Sequence, residues 1–304
     1  MLFEDFQGTA TSFAKDPCVV AYKGRYYLYY TKRDDATDLH GIGIAVSDDL
    51  THFDILGCLE SETPGEGRGI CAPAAIVLDG VLHLFYQSYG QFPRDFICHA
   101  ASTDGVHFDR DASNPVFQPT GPWNCGHAID ADVVVFHGKL LLYFASRDPE
   151  MKIQLLGVAS AELDSGFGRG SWTQLNMEAP ILAPELPWEQ ECIEAPAACV
   201  YHDKVYLFYG GAYNCCPQQI GCAVSEDGVH FTRLFQEPMI PSGPAGSWNE
   251  SESGHPYALV DGDTYHLFYQ GSDDVGKTWR LTRCEIRFDE SGLPYVVREG
   301  NKYR

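Results

Sequence analysis

Five times along this chain an apolar run of about five residues meets a turn and is answered by a second run close to Tyr-Leu-Phe-Tyr. The copies are CVVAYKGRYYLYY from Cys18, AAIVLDGVLHLFY from Ala74, DVVVFHGKLLLYF from Asp132, AACVYHDKVYLFY from Ala197 and YALVDGDTYHLFY from Tyr257. Their turn residues, Gly24, Gly80, Gly138, Asp203 and Asp263, stand 56, 58, 65 and 60 residues apart. Five units of roughly 60 residues thus fill the 304 positions. A long, regular period marks a repeat architecture, because one such unit cannot bury its own apolar face and must stack on its neighbours.

Each unit reads as four strands. The two quoted runs form a hairpin across turns such as Lys-Gly, Asp-Gly or His-Gly. A third, alternating stretch follows (GIGIAVS from Gly41, FICHAAS from Phe96, IGCAVS from Ile220). A recurrent turn then leads to a short fourth strand, as in SDDLTHF from Ser47, STDGVHF from Ser102 and SEDGVHF from Ser225, whose closing Phe can pack between sheets. Four-stranded antiparallel sheets repeated radially describe an all-β, five-bladed β-propeller around a central channel, with residues 1–304 as one domain.

The repeats differ at one informative place. Eight residues before each turn residue stand Asp16, Ala72, Asp130, Ala195 and His255, with Glu194 just ahead of Ala195. The first strand of a propeller blade lines the channel and begins at one mouth, so Asp16, Asp130, Glu194 and His255 are expected to converge there. Three carboxylates, with no Ser/His/Asp or Cys/His arrangement beside them, point to glycoside hydrolysis. That reaction takes one carboxylic acid to protonate the leaving oxygen and one carboxylate to activate water or attack carbon. Chemistry alone leaves the roles of the three interchangeable.

Composition narrows the partners. A net charge of −21, spread along the chain, makes phosphate backbones and anionic lipid poor partners, so neither nucleic acid nor membrane is expected. It suits a neutral substrate, a small oligosaccharide or glycoside. No run approaches the roughly 18 apolar residues of a membrane span. The N-terminal MLFEDFQGTATSF does not read as a secretory signal. Eleven cysteines without a regular framework read as free thiols in a reducing compartment, hence the cytoplasm.

The segments AKDPCVV, AIDADVVVFHGKLLLYF and IEAPAACVYHDKVYLFY resemble the three catalytic strands of the family 43 glycoside hydrolases and their five-bladed relatives in the family 32/43/68 superfamily. The resemblance implies that Asp16 is the general base, Asp130 the pKa modulator and Glu194 the general acid of an inverting mechanism. It also implies α-L-arabinofuranosides and β-D-xylosides as first substrates, with galactosides and fructosides behind. The chain departs from that pattern at Cys71, where a Trp is common before Ala-Pro. Arg147-Asp148-Pro149 and Glu191-Cys192 resemble motifs of the invertase-like family 32. They are discounted because Arg-Asp-Pro falls after the second strand of its blade and the second sandwich domain of that family is absent.

Supporting residues follow from the same comparison. His255, in SGHPYAL, resembles a channel histidine that in some relatives helps hold calcium. No cofactor is expected to be required, with a structural calcium in the channel as the alternative. Trp123 and Trp188, in loops leading to catalytic strands, are candidates to stack on a sugar or else to fill gaps between blades. His127 and Arg68 are candidates for contacts to substrate. Asp132, two residues past Asp130, competes with it as modulator. A glycoside phosphorylase would need several cations at the mouth, for which Arg68, His127 and His255 are the only nominees. A non-catalytic carbohydrate-binding propeller is the remaining alternative, and the oligomeric state is open.

Overall fold

The computed structural model describes residues 2–61, 64–91 and 94–297. Every repeat folds into one antiparallel sheet of four strands in chain order. Blade 1 holds β1 (Lys15–Tyr22), β2 (Arg25–Asp34), β3 (Leu39–Ser47) and β4 (Asp54–Leu59). Blade 2 holds β5 (Ile70–Leu78), β6 (Val81–Ser88), β7 (Ile97–Ser102) and β8 (Asp109–Arg110). Blade 3 holds β9 (Ile129–Phe136), β10 (Lys139–Arg147), β11 (Gln154–Glu162) and β12 (Thr173–Gln174). Blade 4 holds β13 (Ile193–Tyr201), β14 (Lys204–Gly211), β15 (Gln219–Ser225) and β16 (Thr232–Arg233). Blade 5 holds β17 (Glu252–Asp261), β18 (Thr264–Ser272), β19 (Arg280–Phe288) and β20 (Pro294–Val296). Strands β1, β5, β9, β13 and β17 pack against one another in a closed ring, so the expected five-bladed propeller is the fold.

The hairpin turns explain why Gly or Asp recurs there. Lys23-Gly24, Asp79-Gly80 and His137-Gly138 carry positive φ at both central residues, as does His202-Asp203. This is the type I′ geometry that matches the twist of paired strands. Ring closure uses the segment before blade 1. Phe3 pairs antiparallel with Leu281 of blade 5, and Phe13 pairs parallel with Trp279.

Aromatic strands hold neighbouring blades together. Buried tyrosines on second strands donate to turn carbonyls of the next blade: Tyr29 to Gly105, Tyr143 to Gly228 and Tyr206 to Gly292, at 2.7–2.9 Å. The closing aromatics of the outer turns meet them edge-on, Phe108 on Tyr29 at 5.6 Å and Phe231 on Tyr143 at 5.8 Å. A buried Tyr thus contributes ring area to the core and still satisfies its hydroxyl. No helix among the described residues is long and apolar enough to cross a membrane.

Candidate active site

Each innermost strand is broken by a bulge at the same place. The register slips between Lys15 and Cys18, between Cys71 and Ala74, between Glu194 and Ala197, and between Gly254 and Tyr257, with the matching slip in blade 3 opposite Tyr143 and Ala145. At these bulges Asp16, Ala72, Asp130, Ala195 and His255 all adopt left-handed backbone, with φ between 43 and 50°. A non-glycine residue in that region is strained by about 1–2 kcal/mol. Because Ala72 and Ala195 share it, the strain belongs to the propeller frame and not to the chemistry.

Side chains of adjoining strands hold the turned backbone. The N–H of Asp16 is accepted by Gln270 Oε1 (2.8 Å), that of Ala72 by Thr31 Oγ1 (2.8 Å) and that of Asp130 by Gln87 Oε1 (2.7 Å). Thr31, Gln87 and Gln270 are themselves in register, seven residues past their turn residues. Blades 3 and 4 have Ala145 and Gly210 at that position, and other residues fill the space. Gln218 accepts the N–H of His255 (3.2 Å), and a Cβ on Gly210 or Gly254 would run into its side chain. Sequence reading missed this set, although its register was visible.

The carboxylates meet around His255. Its Nδ1 lies 2.9 Å from Asp16 Oδ1 and its Nε2 lies 3.2 Å from Glu194 Oε1. Glu194 Oε1 also accepts from Gln218 Nε2 (2.6 Å) and Asn214 Nδ2 (3.0 Å), and its Oε2 accepts from Gln154. Lys15, directly before Asp16, donates to Asn214 Oδ1 (2.7 Å), so Asn214 links the Asp16 strand to Glu194. Asp130 contrasts with Glu194: its Oδ2 is buried without a hydrogen-bond partner among the described residues. Lys15, Cys71, Ile129 and Glu194 occupy one common position, a residue ahead of the left-handed one, and all four line the mouth. Lys15 was therefore recoverable by the logic that admitted Glu194.

These environments separate the titrations. Burial pushes Asp16 up, but His255 and then Lys15 outweigh it and hold the carboxyl well below its usual range. Burial likewise works against Glu194, and the bonds from His255 and Gln218 bring it below its ordinary value. Burial opposes charge on His255, yet Asp16 and Asp130 hold it well above its usual range, so it stays protonated. Asp130 is raised to about 7, by burial first and by the charges of Glu194 and Asp16, against the pull of His255. Asp130 thus keeps its proton to higher pH than Asp16 and Glu194 do.

Above this cluster opens a pocket of about 430 Å³, into which Asp16, Asp130, Glu194 and His255 all face. Below it the channel narrows to a space of about 20 Å³ among Pro17, Pro73, Pro196, Pro256 and Tyr257. Arg68 reaches the pocket rim, ion-paired with Asp38. Other nominated residues lie elsewhere. Trp123 is buried against Phe144, at a ring distance of 6.3 Å, and donates to Asn176 O (2.8 Å). Trp188 stacks on Tyr209 over Gly211 and Gly221, where a Cβ would collide with its ring. Both fill gaps in and between blades, because these loop aromatics gain more apolar burial there than in an open pocket. His127 is buried outside the pocket lining, where burial and then Arg147 depress its pKa to about 4. The aromatic rings that do line the pocket are Phe13, Tyr89 and Trp279. Asp132 is bonded to the Ala198 N–H of the next blade (2.6 Å), away from the pocket, which leaves Asp130 as the third mouth carboxyl.

Asp130, Glu194 and His255 bring one donor atom each within 4.8 Å of one another. Calcium takes about six to eight oxygen ligands. Here both imidazole nitrogens already face carboxylates, and Glu194 is committed to amide donors. The residues at the mouth do not fit a calcium ion.

A five-bladed propeller with three carboxyls at one channel mouth defines the class as the glycoside hydrolase propellers of the family 32/43/68 superfamily. The chain belongs to the family described as Glycosyl hydrolases family 32 N-terminal domain, whose model matches residues 8–160, half of the chain. The superfamily read from the motifs stands, while the discount placed on family 32 does not. The Arg147-Asp148-Pro149 motif is nonetheless outside the site: Asp148 accepts the N–H groups of Lys152 and Ile153 in the turn after β10. A thermostable family-43 glycoside hydrolase superposes with a TM-score of 0.75 at 21% identity, covering 95% of this chain and 93% of that one. An endo-1,4-beta-xylanase from Bacteroides thetaiotaomicron does so with 0.73 at 19% identity, covering 94% of each. A beta-1,2-mannobiose phosphorylase from Thermoanaerobacter sp. (strain X514) is 29% identical over 143 residues, 40% of this chain. That match spans less than half of the relative, 46% of its length.

Proposed function

We propose that this protein is a glycosidase that removes terminal sugars from short oligosaccharides by inversion, with α-L-arabinofuranosides and β-D-xylosides as first substrates. Asp16, held ionised by His255, takes the proton of an attacking water. Glu194 delivers a proton to the departing oxygen. Asp130 shares one proton with Glu194: it stores that proton in the empty site and passes it on when substrate displaces water. The observation that carries this reading is the placement of Asp16 and Glu194 on opposite nitrogens of His255 at one mouth. Inversion calls for about 6.5–9.5 Å between the two carboxyls, room for a water, and two carboxyls on opposite sides of one imidazole support that reading. The narrowing below the pocket supports action on chain ends. All eleven cysteines are free, which supports a reducing, cytoplasmic setting.

The test is hydrolysis of 4-nitrophenyl arabinofuranoside, xyloside, galactoside and fructosides of short chain length, with wild type beside Glu194→Gln. Turnover of one member that collapses in the variant supports the reading and names the sugar. A panel on which the two proteins behave alike overturns it.

A further inference from the structure

One wall of the mouth gathers three basic side chains, in a chain that carries 42 acidic and 21 basic residues. Lys15, Arg33 and Arg68 all line the pocket, together with His40. They arrive from three separate elements: the start of β1, the end of β2 and the connection from blade 1 to blade 2. Each cation is braced. Arg33 bonds Asp35 (2.7 Å) and lies 4.8 Å from the centre of the Phe13 ring. Arg68 pairs with Asp38, and Lys15 lies 4.5 Å from the Trp279 ring while donating to Asn214. Both guanidinium groups keep N–H donors that meet no acceptor among the described residues. Between them His40 has a buried Nδ1 without a hydrogen-bond partner. Burial, with Lys15 and Arg33 adding to it, keeps that imidazole neutral, with a pKa of about 4.

We propose that this wall is an oxyanion subsite, in which Arg33 and Arg68, backed by Lys15 and His40, bind a carboxylate or phosphate group beside the scissile position. A braced guanidinium with spare donors offers the planar, charge-assisted geometry that such groups accept. The net charge of −21 acts at long range and disfavours polyanions, while the spare N–H donors of this wall, whose guanidinium charges are already paired, leave room for one small anion. The anion has two sources, a sugar acid within the substrate or inorganic phosphate as the attacking nucleophile. With a sugar acid the inference deepens the glycosidase reading, on which it rests for the bond that is cleaved; with phosphate as nucleophile the same site cleaves by phosphorolysis in place of hydrolysis.

Binding tests it without turnover, so failure of the glycosidase reading leaves the result interpretable. Calorimetric titration of the whole protein with inorganic phosphate, D-glucuronate and D-glucose is expected to show saturable binding of at least one anion. That anion should bind at least about tenfold more tightly than glucose and lose about tenfold or more in Arg33→Gln/Arg68→Gln. Arg68→Gln alone, at the exposed rim, should lose part of the affinity and guards against misfolding of the double variant. Preference for phosphate assigns the nucleophile, and preference for glucuronate assigns the sugar. Absence of anion binding, or equal binding in the double variant, overturns the subsite.

Discussion

The molecule repeats itself at two radii, and the repeats behave differently. At the outer edge, the turns after the third strands keep both backbone and chemistry. Ser47 and Asp49, Ser102 and Asp104, and Ser225 and Asp227 bond the N–H groups that follow them, and His52, His107 and His230 lie 2.6–2.8 Å from their aspartates. At the channel mouth, the five left-handed positions keep the backbone and vary the side chain: Asp, Ala, Asp, Ala, His. The outer bonds are local, with the serines buried and the Asp–His pairs exposed, so each turn closes itself. Many of the mouth bonds cross between blades, from Gln270 to Asp16, Thr31 to Ala72, Gln87 to Asp130, Gln154 to Glu194 and Gln218 to His255, so these blades do not build their shares of the site alone. Function therefore sits where the repeat retains conformation and abandons residue identity.

The largest effect that would sharpen this contrast is at Glu194. Glu194→Gln should lower kcat about 10²–10⁴-fold on an oligosaccharide while the protein still folds. The loss should shrink with a 2,4-dinitrophenyl leaving group, which departs without protonation. An equal loss on both substrates would remove Glu194 from the acid role.

Asp130 provides the next test. The Asp130–Glu194 pair should lose its shared proton as pH rises through about 7, giving kcat/KM an alkaline limb there. In Asp130→Asn the proton must reside on Glu194 alone, whose pKa lies below its ordinary 4.5, so the limb should move to acid pH. A limb that stays in place breaks the proposed sharing.

Gln218 tests the frame. Gln218→Ala would remove one of the bonds to Glu194 and the Gln218 bonds to the buried Ala212 carbonyl and His255 N–H, at about 1–3 kcal/mol of stability, read from the denaturant midpoint. Asp132 tests burial without catalysis. Its folded pKa of about 7 lies above the ordinary 3.8, so its neutral form stabilises fully below pH 3.8 and that contribution is lost as pH rises through about 7. Asp132→Asn should therefore gain stability relative to wild type between pH 4 and pH 8, while a constant difference would contradict the shift. The smallest effect belongs to the outer edge, where His230→Ala should leave the unfolding midpoint unchanged within error, because an exposed pair of this kind contributes little.

The periodicity of apolar runs and turn residues determined the blades, because both reflect short-range rules: alternation on a strand and positive φ in a tight turn. It also determined that Asp16, Asp130, Glu194 and His255 share one mouth, since a fixed offset from a turn is preserved by every copy. Tertiary structure decided what those groups are. Which carboxyl keeps its proton to higher pH depends on Gln154, Asn214 and Gln218 reaching Glu194 and on no hydrogen-bond partner reaching Asp130 Oδ2 among the described residues. Which aromatic rings face the pocket depends on gaps that glycines such as Gly211 open for Trp188, leaving Phe13, Tyr89 and Trp279 at the mouth. Burial and long-range partners set pKa values and side-chain placement. Neither has a period, so neither could be read along the chain.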